Sequence, residues 1–344
     1  MRKNRERQVP FYFYNVLTIV DIKFIITIMK KLIFTILSTL LLVGCAQGTT
    51  SSIAGSVSEN VSTSETSSES TTSETTSEST SVVITSETTS ETKSENSSLD
   101  NYYQSATGSG MTLLKSLRTI TGKKFKSLGY GGLWNAYRIT DARSDGKVMD
   151  IYSNATNYTF GTDQAGQYSV EGDVYNREHT IPKSWWGGGT NNQGCDVFIV
   201  YPSDGYVNNI RGNLPFGEVK TADYTSKNNY CRRGKSALSG YSGTVFEPAD
   251  EWKGDLARSC FYALTKWDNA PTWTKGNGSV IFSGSYNKNF GLTNYALNLY
   301  LKWHNEDPVS DWERQRNDRG ELVQGNRNPY IDNPSFVDLI WGSL

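Results

Sequence analysis

Helical spacing dominates the second half of the chain. Trp252, Leu256, Cys260, Ala263, Leu264 and Trp267 recur every three or four residues, as do Leu292, Ala296, Leu299 and Trp303. That spacing puts apolar side chains on one face of a helix, and both stripes are read as core. Ser310-Asp311-Trp312-Glu313 has the form of a capping box that opens a further helix. Earlier in the chain, Thr112–Ile120 and Leu133–Tyr137 predict two short helices. Gly129-Tyr130-Gly131-Gly132 is the break between them, since three glycines in four residues favour a turn. Strand signals are fewer. Val148–Tyr152 is one, Val174–Ile181 is another, stopped by Pro182, and the continuous apolar run Cys195–Tyr201 predicts a buried third. Ser203 or Asp204 then caps a helix that carries Asn208. Residues 174–213 therefore read strand, loop, strand, helix, inside an α+β domain with more helix than strand.

The first hundred residues follow neither period. Met1–Ile28 joins a basic start to an apolar stretch, and Met29-Lys30-Lys31 begins the pattern again. The second copy, with an apolar run from Leu32 to Val43 before Gly44-Cys45, reads as a secretory signal too short to cross a bilayer. An uncleaved anchor helix is the alternative. Leu42-Val43-Gly44-Cys45 resembles a lipobox, so lipidation of Cys45 and a true start at Met29 are expected. Residues 46–100 are rich in Ser, Thr and Glu, with nine acidic residues against Lys93 alone, a net of −8. Such a segment lacks the apolar surface to offset its ordering entropy and predicts a disordered tether. A coil of about 55 residues reaches roughly 40 Å. The expected division is 1–45 signal and lipobox, 46–100 linker, 101–344 domain.

Composition narrows the function of that domain. Residues 101–344 hold 26 Lys+Arg and 24 Asp+Glu, a net of +2, which is not the balance of a tight nucleic-acid binder. A local basic groove would suffice for an enzyme that must release its product. Cys195, Cys231 and Cys260 are too far apart for a zinc knuckle. One disulfide with a spare thiol, or three thiols, both remain open. The chain has two histidines, His179 and His304, and no His-Glu-x-x-His run, which sets aside a zinc peptidase. His304, beside Trp303 at a helix end, is read as a C-terminal cation or cap.

Two polar stretches remain, Asn176-Arg177-Glu178-His179-Thr180-Ile181-Pro182-Lys183-Ser184-Trp185-Trp186 and Tyr201-Pro202-Ser203-Asp204-Gly205-Tyr206-Val207-Asn208-Asn209-Ile210-Arg211-Gly212-Asn213. Histidine is the side chain best suited to accept a proton near neutral pH. Carboxylate and amide oxygens suit a hard cation. Glu178 and His179 alone could equally be a satisfied polar pair at a strand end.

These stretches resemble the bacterial endonuclease I family, periplasmic or secreted nucleases built on a ββα-metal (His-Me finger) site. Tyr102–Gly108 resembles the start of that domain and Gln324–Asp332 its end, so the likeness spans 101–344. The resemblance implies that His179 is the general base and that Glu178 and Asn208 hold Mg2+, or Ca2+ or Mn2+ in its place. Arg211, which matches the arginine of a Val-Asn-x-x-Arg-x-Asn run, would meet the phosphate; a structural pair with Glu218 or Asp204 is the alternative. Arg258 matches another run and is a further substrate candidate. Asn209 and Asn213 would orient the metal ligands. Trp185 and Trp186 are read as core ahead of a base-stacking platform. The substrate would be DNA, RNA or both, cut to 5′-phosphates by an exported monomer held at the outer face of the membrane through Cys45.

Two points press on this reading. Neighbouring residues of a flat strand face opposite ways, so the chain must bend for Glu178 and His179 to serve one phosphate. Many relatives read Asp-Leu-His where this chain has Asp196-Val197-Phe198, which puts a second-strand supporting histidine in doubt. A weakened or inactive surface binding protein on the same fold is the competing function.

Overall fold

The computed structural model describes residues 99–343; the export signal, the Cys45 anchor and most of the tether read from the sequence lie outside them. Among the described residues no helix is long and apolar enough to cross a membrane.

The core is built on α4 (Lys253–Lys266), in which every side chain from Gly254 to Thr265 is buried. A helix buried all round must be enclosed by other elements. Helices α1 (Gly110–Lys123) and α5 (Asn294–Glu306) pack on it, and α7 (Ser335–Trp341) closes against α1 and α5. Phe261 on α4 meets Trp341 on α7 with ring centroids 4.5 Å apart. The two apolar stripes are core, as the spacing requires. Ser310 caps α6 (Asp311–Gln324) by accepting from the Glu313 N–H at 3.1 Å. Only half of the expected box forms, because the Glu313 carboxylate turns inward to Arg258.

Strand β1 (Tyr175–His179) pairs antiparallel with β2 (Val200–Asp204), from Tyr175 opposite Asp204 to His179 opposite Val200. Helix α3 (Gly205–Arg211) follows at once. A separate antiparallel sheet, β3 (Val219–Thr225), β4 (Arg232–Ser236) and β5 (Thr244–Glu247), lies next in the chain. The result is α+β, with more helix than strand.

Three local expectations give way to side-chain chemistry. Helix α2 runs Gly129–Thr140, so the glycine cluster opens the helix; only Gly129 needs the left-handed backbone, at φ +66°. The break falls at 124–128 instead. Val148–Tyr152 is no strand: Asp150 takes the N–H groups of Tyr152 and Ser153, a local turn that competes with a ladder. The run Cys195–Tyr201 begins in a 3-10 turn (Asn192–Cys195), and Asp196 draws in the N–H of Phe198 before β2 starts at Val200. The three described cysteines are buried and free. His304 is no helix-end cation: burial, then the charge of Arg258, lowers its pKa to about 4.

Candidate functional site

The end of β1, the turn after it, Tyr130, Asn208 in the middle of the helix after β2, and Gly212 and Asn213 just beyond that helix enclose an open cleft of about 490 Å³. Pro182 stops the strand, and Asp204 fixes the helix by accepting from the Val207 N–H at 2.8 Å. Asp204 is itself held by Tyr158, whose hydroxyl donates to its other oxygen at 2.5 Å. Asn208, one turn into α3, thereby comes to the cleft wall. Its side chain makes no hydrogen bond among the described residues, which leaves the amide oxygen free to bind a ligand.

Glu178 and His179, the last two residues of β1, are both buried and both border the cleft where the strand stops. Glu178 is buried and accepts from Tyr152 (2.8 Å) and Arg211, both on Oε1. Oε2 is the oxygen left for a ligand. Burial raises the Glu178 pKa, while Arg211 and the Tyr152 hydroxyl oppose that rise. A cation beside Oε2 would oppose it further, and a hard oxygen-seeking ion completed by water fits a donor set of one carboxylate and one amide. No group of three or more His, Cys, Asp or Glu is gathered for a metal among the described residues.

The Nε2 of His179 lies 3.1 Å from the Gly194 carbonyl oxygen. A carbonyl only accepts, so Nε2 carries the proton and Nδ1 keeps its lone pair. Burial, then Lys183 and more weakly Arg177 and Arg211, lowers the His179 pKa to about 3 against the pull of that carbonyl. The ring is therefore neutral at neutral pH. It stacks on Tyr130, centroids 5.8 Å apart, and meets the edge of Trp186.

The remaining candidates separate. Asn213 lines the cleft, while its carbonyl accepts from Trp185 Nε1 at 3.3 Å. Asn209 is exposed on α3 and lies off the cleft. Arg211 is buried and spent inside the protein: Nη1 donates to Glu178 and to the His179 carbonyl (2.8 Å), Nη2 to the Thr180 carbonyl (2.7 Å), Nε to the Leu214 carbonyl (3.1 Å). It neither lines the cleft nor pairs with Glu218 or Asp204; it holds the carboxylate and the strand end. Arg258 sits in the helical core on Glu313, at 2.7 and 2.6 Å, and does not line the cleft. Trp185 is buried core and Trp186 packs on Trp273 at 5.0 Å. Phe198 also points to the core, with its ring 5.2 Å from Tyr262, so the residue in place of histidine does not border the cleft.

Arg177, Lys183, Tyr130 and Tyr152 escape a reading of the sequence. Arg177 and Lys183 flank Glu178-His179 in the same run, so proximity is the available signal. Tyr130 is hidden in the glycine cluster and Tyr152 in a supposed strand. With Glu178 and Arg211 neutralising each other, Arg177 and Lys183 give the cleft its positive sign.

An open cationic cleft with a neutral histidine, a carboxylate and amides is the equipment of an enzyme that hydrolyses phosphodiesters. Comparison with known proteins agrees: residues 109–335 match the family Endonuclease I. The chain is 33% identical over 257 residues to the extracellular ribonuclease of Bacillus subtilis (strain 168), across 70% of this chain and 78% of that one. It is 32% identical over 255 residues to the extracellular ribonuclease of Bacillus amyloliquefaciens, with the same coverage. It is 24% identical over 172 residues to the extracellular deoxyribonuclease of Aeromonas hydrophila, across 45% and 64%. The chain belongs to the endonuclease I family and is a nuclease.

Proposed function

We propose that this chain is an exported, lipid-anchored, metal-dependent endonuclease of low sequence specificity, with a ββα-metal site formed by β1, β2 and α3. The observation that carries the reading is His179: its Nε2 proton is committed to the Gly194 carbonyl, so a neutral ring with Nδ1 unprotonated borders a cationic cleft. Nδ1 takes a proton from the attacking water. Glu178 and Asn208 would hold a divalent ion, magnesium, calcium or manganese, which when bound would supply Lewis acidity to the reacting phosphodiester. Arg211 fixes the Glu178 carboxylate, and Asn213 helps shape the cleft wall. A phosphate in the cleft offsets the charges of Lys183 and Arg177 that weaken His179 as a base.

No step uses a 2′-hydroxyl, so DNA and RNA are both cut, leaving 5′-phosphates. The names of the relatives, ribonuclease and deoxyribonuclease, support that breadth, and "extracellular" supports export. Anchoring rests on the Cys45 lipobox alone. The competing picture of an inactive binding protein loses its motive once Phe198 lies off the cleft.

The test is digestion of plasmid and RNA by the full chain and its His179→Ala variant, with magnesium, calcium, manganese or chelator. Chelation should abolish cutting, and the variant should be slower by roughly 10²–10⁴-fold per folded molecule, its loss of stability being read separately from the melting temperature. Full activity per folded variant molecule would sink the mechanism. Mass spectrometry of native protein tests the lipid on Cys45 separately.

A further inference from the structure

Every fully buried arginine here meets a carboxylate: Arg211 with Glu178, Arg258 with Glu313, Arg316 with Asp141. Arg327, nearly as buried, meets Asp332. Arg177 does not. It has no carboxylate partner among the described residues, although it is half-buried in the cleft wall. Its guanidinium lies 3.5 Å from the Tyr130 ring centroid and 4.3 Å from that of Trp134. Nη1 donates to the Tyr130 carbonyl at 2.7 Å, and Nε is buried with no partner. Lys183, likewise without a carboxylate, approaches the same Tyr130 ring at 4.8 Å.

Two aromatic rings hold a cation by attraction to their faces, but they do not satisfy its N–H groups. An unpaired, partly desolvated charge costs free energy unless something completes it. Here the two rings fix the fork in one place, and Nη2, which makes no hydrogen bond among the described residues, is left to donate. A rigid guanidinium with an idle donor, beside a lysine and within the cleft that holds His179, suits the oxygens of a phosphate.

We propose that Arg177 is the phosphate-binding arginine of this nuclease, assisted by Lys183, and fills the role that the family resemblance lends to Arg211. It grips a non-bridging oxygen of the scissile phosphodiester, while Tyr130 and Trp134 hold the guanidinium in position. The proposal rests on the cleft being the nuclease site, and the experiment separates the two ideas.

The full chain is compared with R177Q, R177K and His179→Ala, with plasmid and a short oligonucleotide as substrates at several salt concentrations. R177Q should lose about 10²–10³-fold in kcat/KM, the scale for removing one fixed donor to developing charge. Its melting temperature should fall only modestly, because the Tyr130 hydrogen bond and the ring contacts are lost but no salt bridge is broken. The slope of log affinity against log salt should fall by about one, as expected when one phosphate is no longer neutralised by the protein. Inhibition by a 5′-phosphorylated dinucleotide should weaken by about tenfold or more. R177K, which keeps charge but not the fork, should recover binding better than turnover. If R177Q cuts within about threefold of the parent while His179→Ala is inert, Arg177 is packing only and the proposal is wrong. If R177Q fails to fold, R177K decides: parental kcat and parental inhibition by the dinucleotide overturn the assignment. Full activity in both R177Q and His179→Ala would overturn the site itself.

Discussion

His179 and His304 occupy two different kinds of place. His179 ends a strand at an open cleft, with one nitrogen tied to a backbone carbonyl. His304 lies on α5 against Phe261 and Arg258, inside the helical half. Burial leads the causes in both, and both are neutral at neutral pH. A depressed pKa therefore does not single out the proposed base. Access to a cleft, a fixed tautomer and unpaired cations nearby do. The arginines repeat the lesson: Arg258, which a family run singles out, is neutralised in the core, whereas Arg177, which no motif singles out, faces the cleft without a carboxylate among the described residues.

The sharpest break of the comparison is in turnover. His179→Ala should lose roughly 10²–10⁴-fold, whereas His304→Asn should leave the activity of the folded fraction unchanged. Equal losses in the two would erase the distinction. The next effect is on stability. Glu313→Gln removes the closer of two carboxylates on buried Arg258, Asp255 remaining at 3.8 Å, and should cost up to about 3–5 kcal/mol, read from the denaturation midpoint, with catalysis by the folded fraction intact.

Phe198→His should destabilise by roughly 1–3 kcal/mol without raising activity, since the ring is buried against Tyr262 and Gly320 leaves it no spare room. A clear gain in turnover would show that the second strand does reach the chemistry. The smallest effect is on acid stability. His304 has a folded pKa of about 4, below its unfolded value of about 6.5, so the unfolded chain binds more protons in that window. Stability contributed by the neutral ring is complete above about pH 6.5 and declines as pH falls toward 4. The melting temperature of His304→Gln should consequently drop less between pH 7 and 4.5 than that of the parent.

What is legible in the sequence follows from what determines it. The stripes of α4 and α5 depend only on spacing, and spacing places them correctly. The order of β1, β2 and α3 is legible because Pro182 and Asp204 punctuate it locally. The outer sheet is not, since β3 keeps only Val219 buried and so shows no alternation. Glu178, His179, Asn208 and Asn213 do line one cleft, but the choice of partners is hidden. Nothing in the spacing of Arg211 says that it turns toward Glu178 and two carbonyls and away from solvent. Nothing in Gly129-Tyr130-Gly131-Gly132 says that its tyrosine backs an arginine 47 positions along. Such pairings are long-range, and a single chain records them only once it is folded.

Arg211 has a mechanical consequence. It rides on α3, three residues after Asn208, and grips the carboxylate of Glu178 and the carbonyls of His179 and Thr180. His179, Glu178 and the helix that carries Asn208 are thus joined by one buried side chain across two elements. A displacement of α3 is therefore passed through the guanidinium to the end of β1, and truncating that one side chain would uncouple the helix that carries Asn208 from the strand end that carries Glu178 and His179.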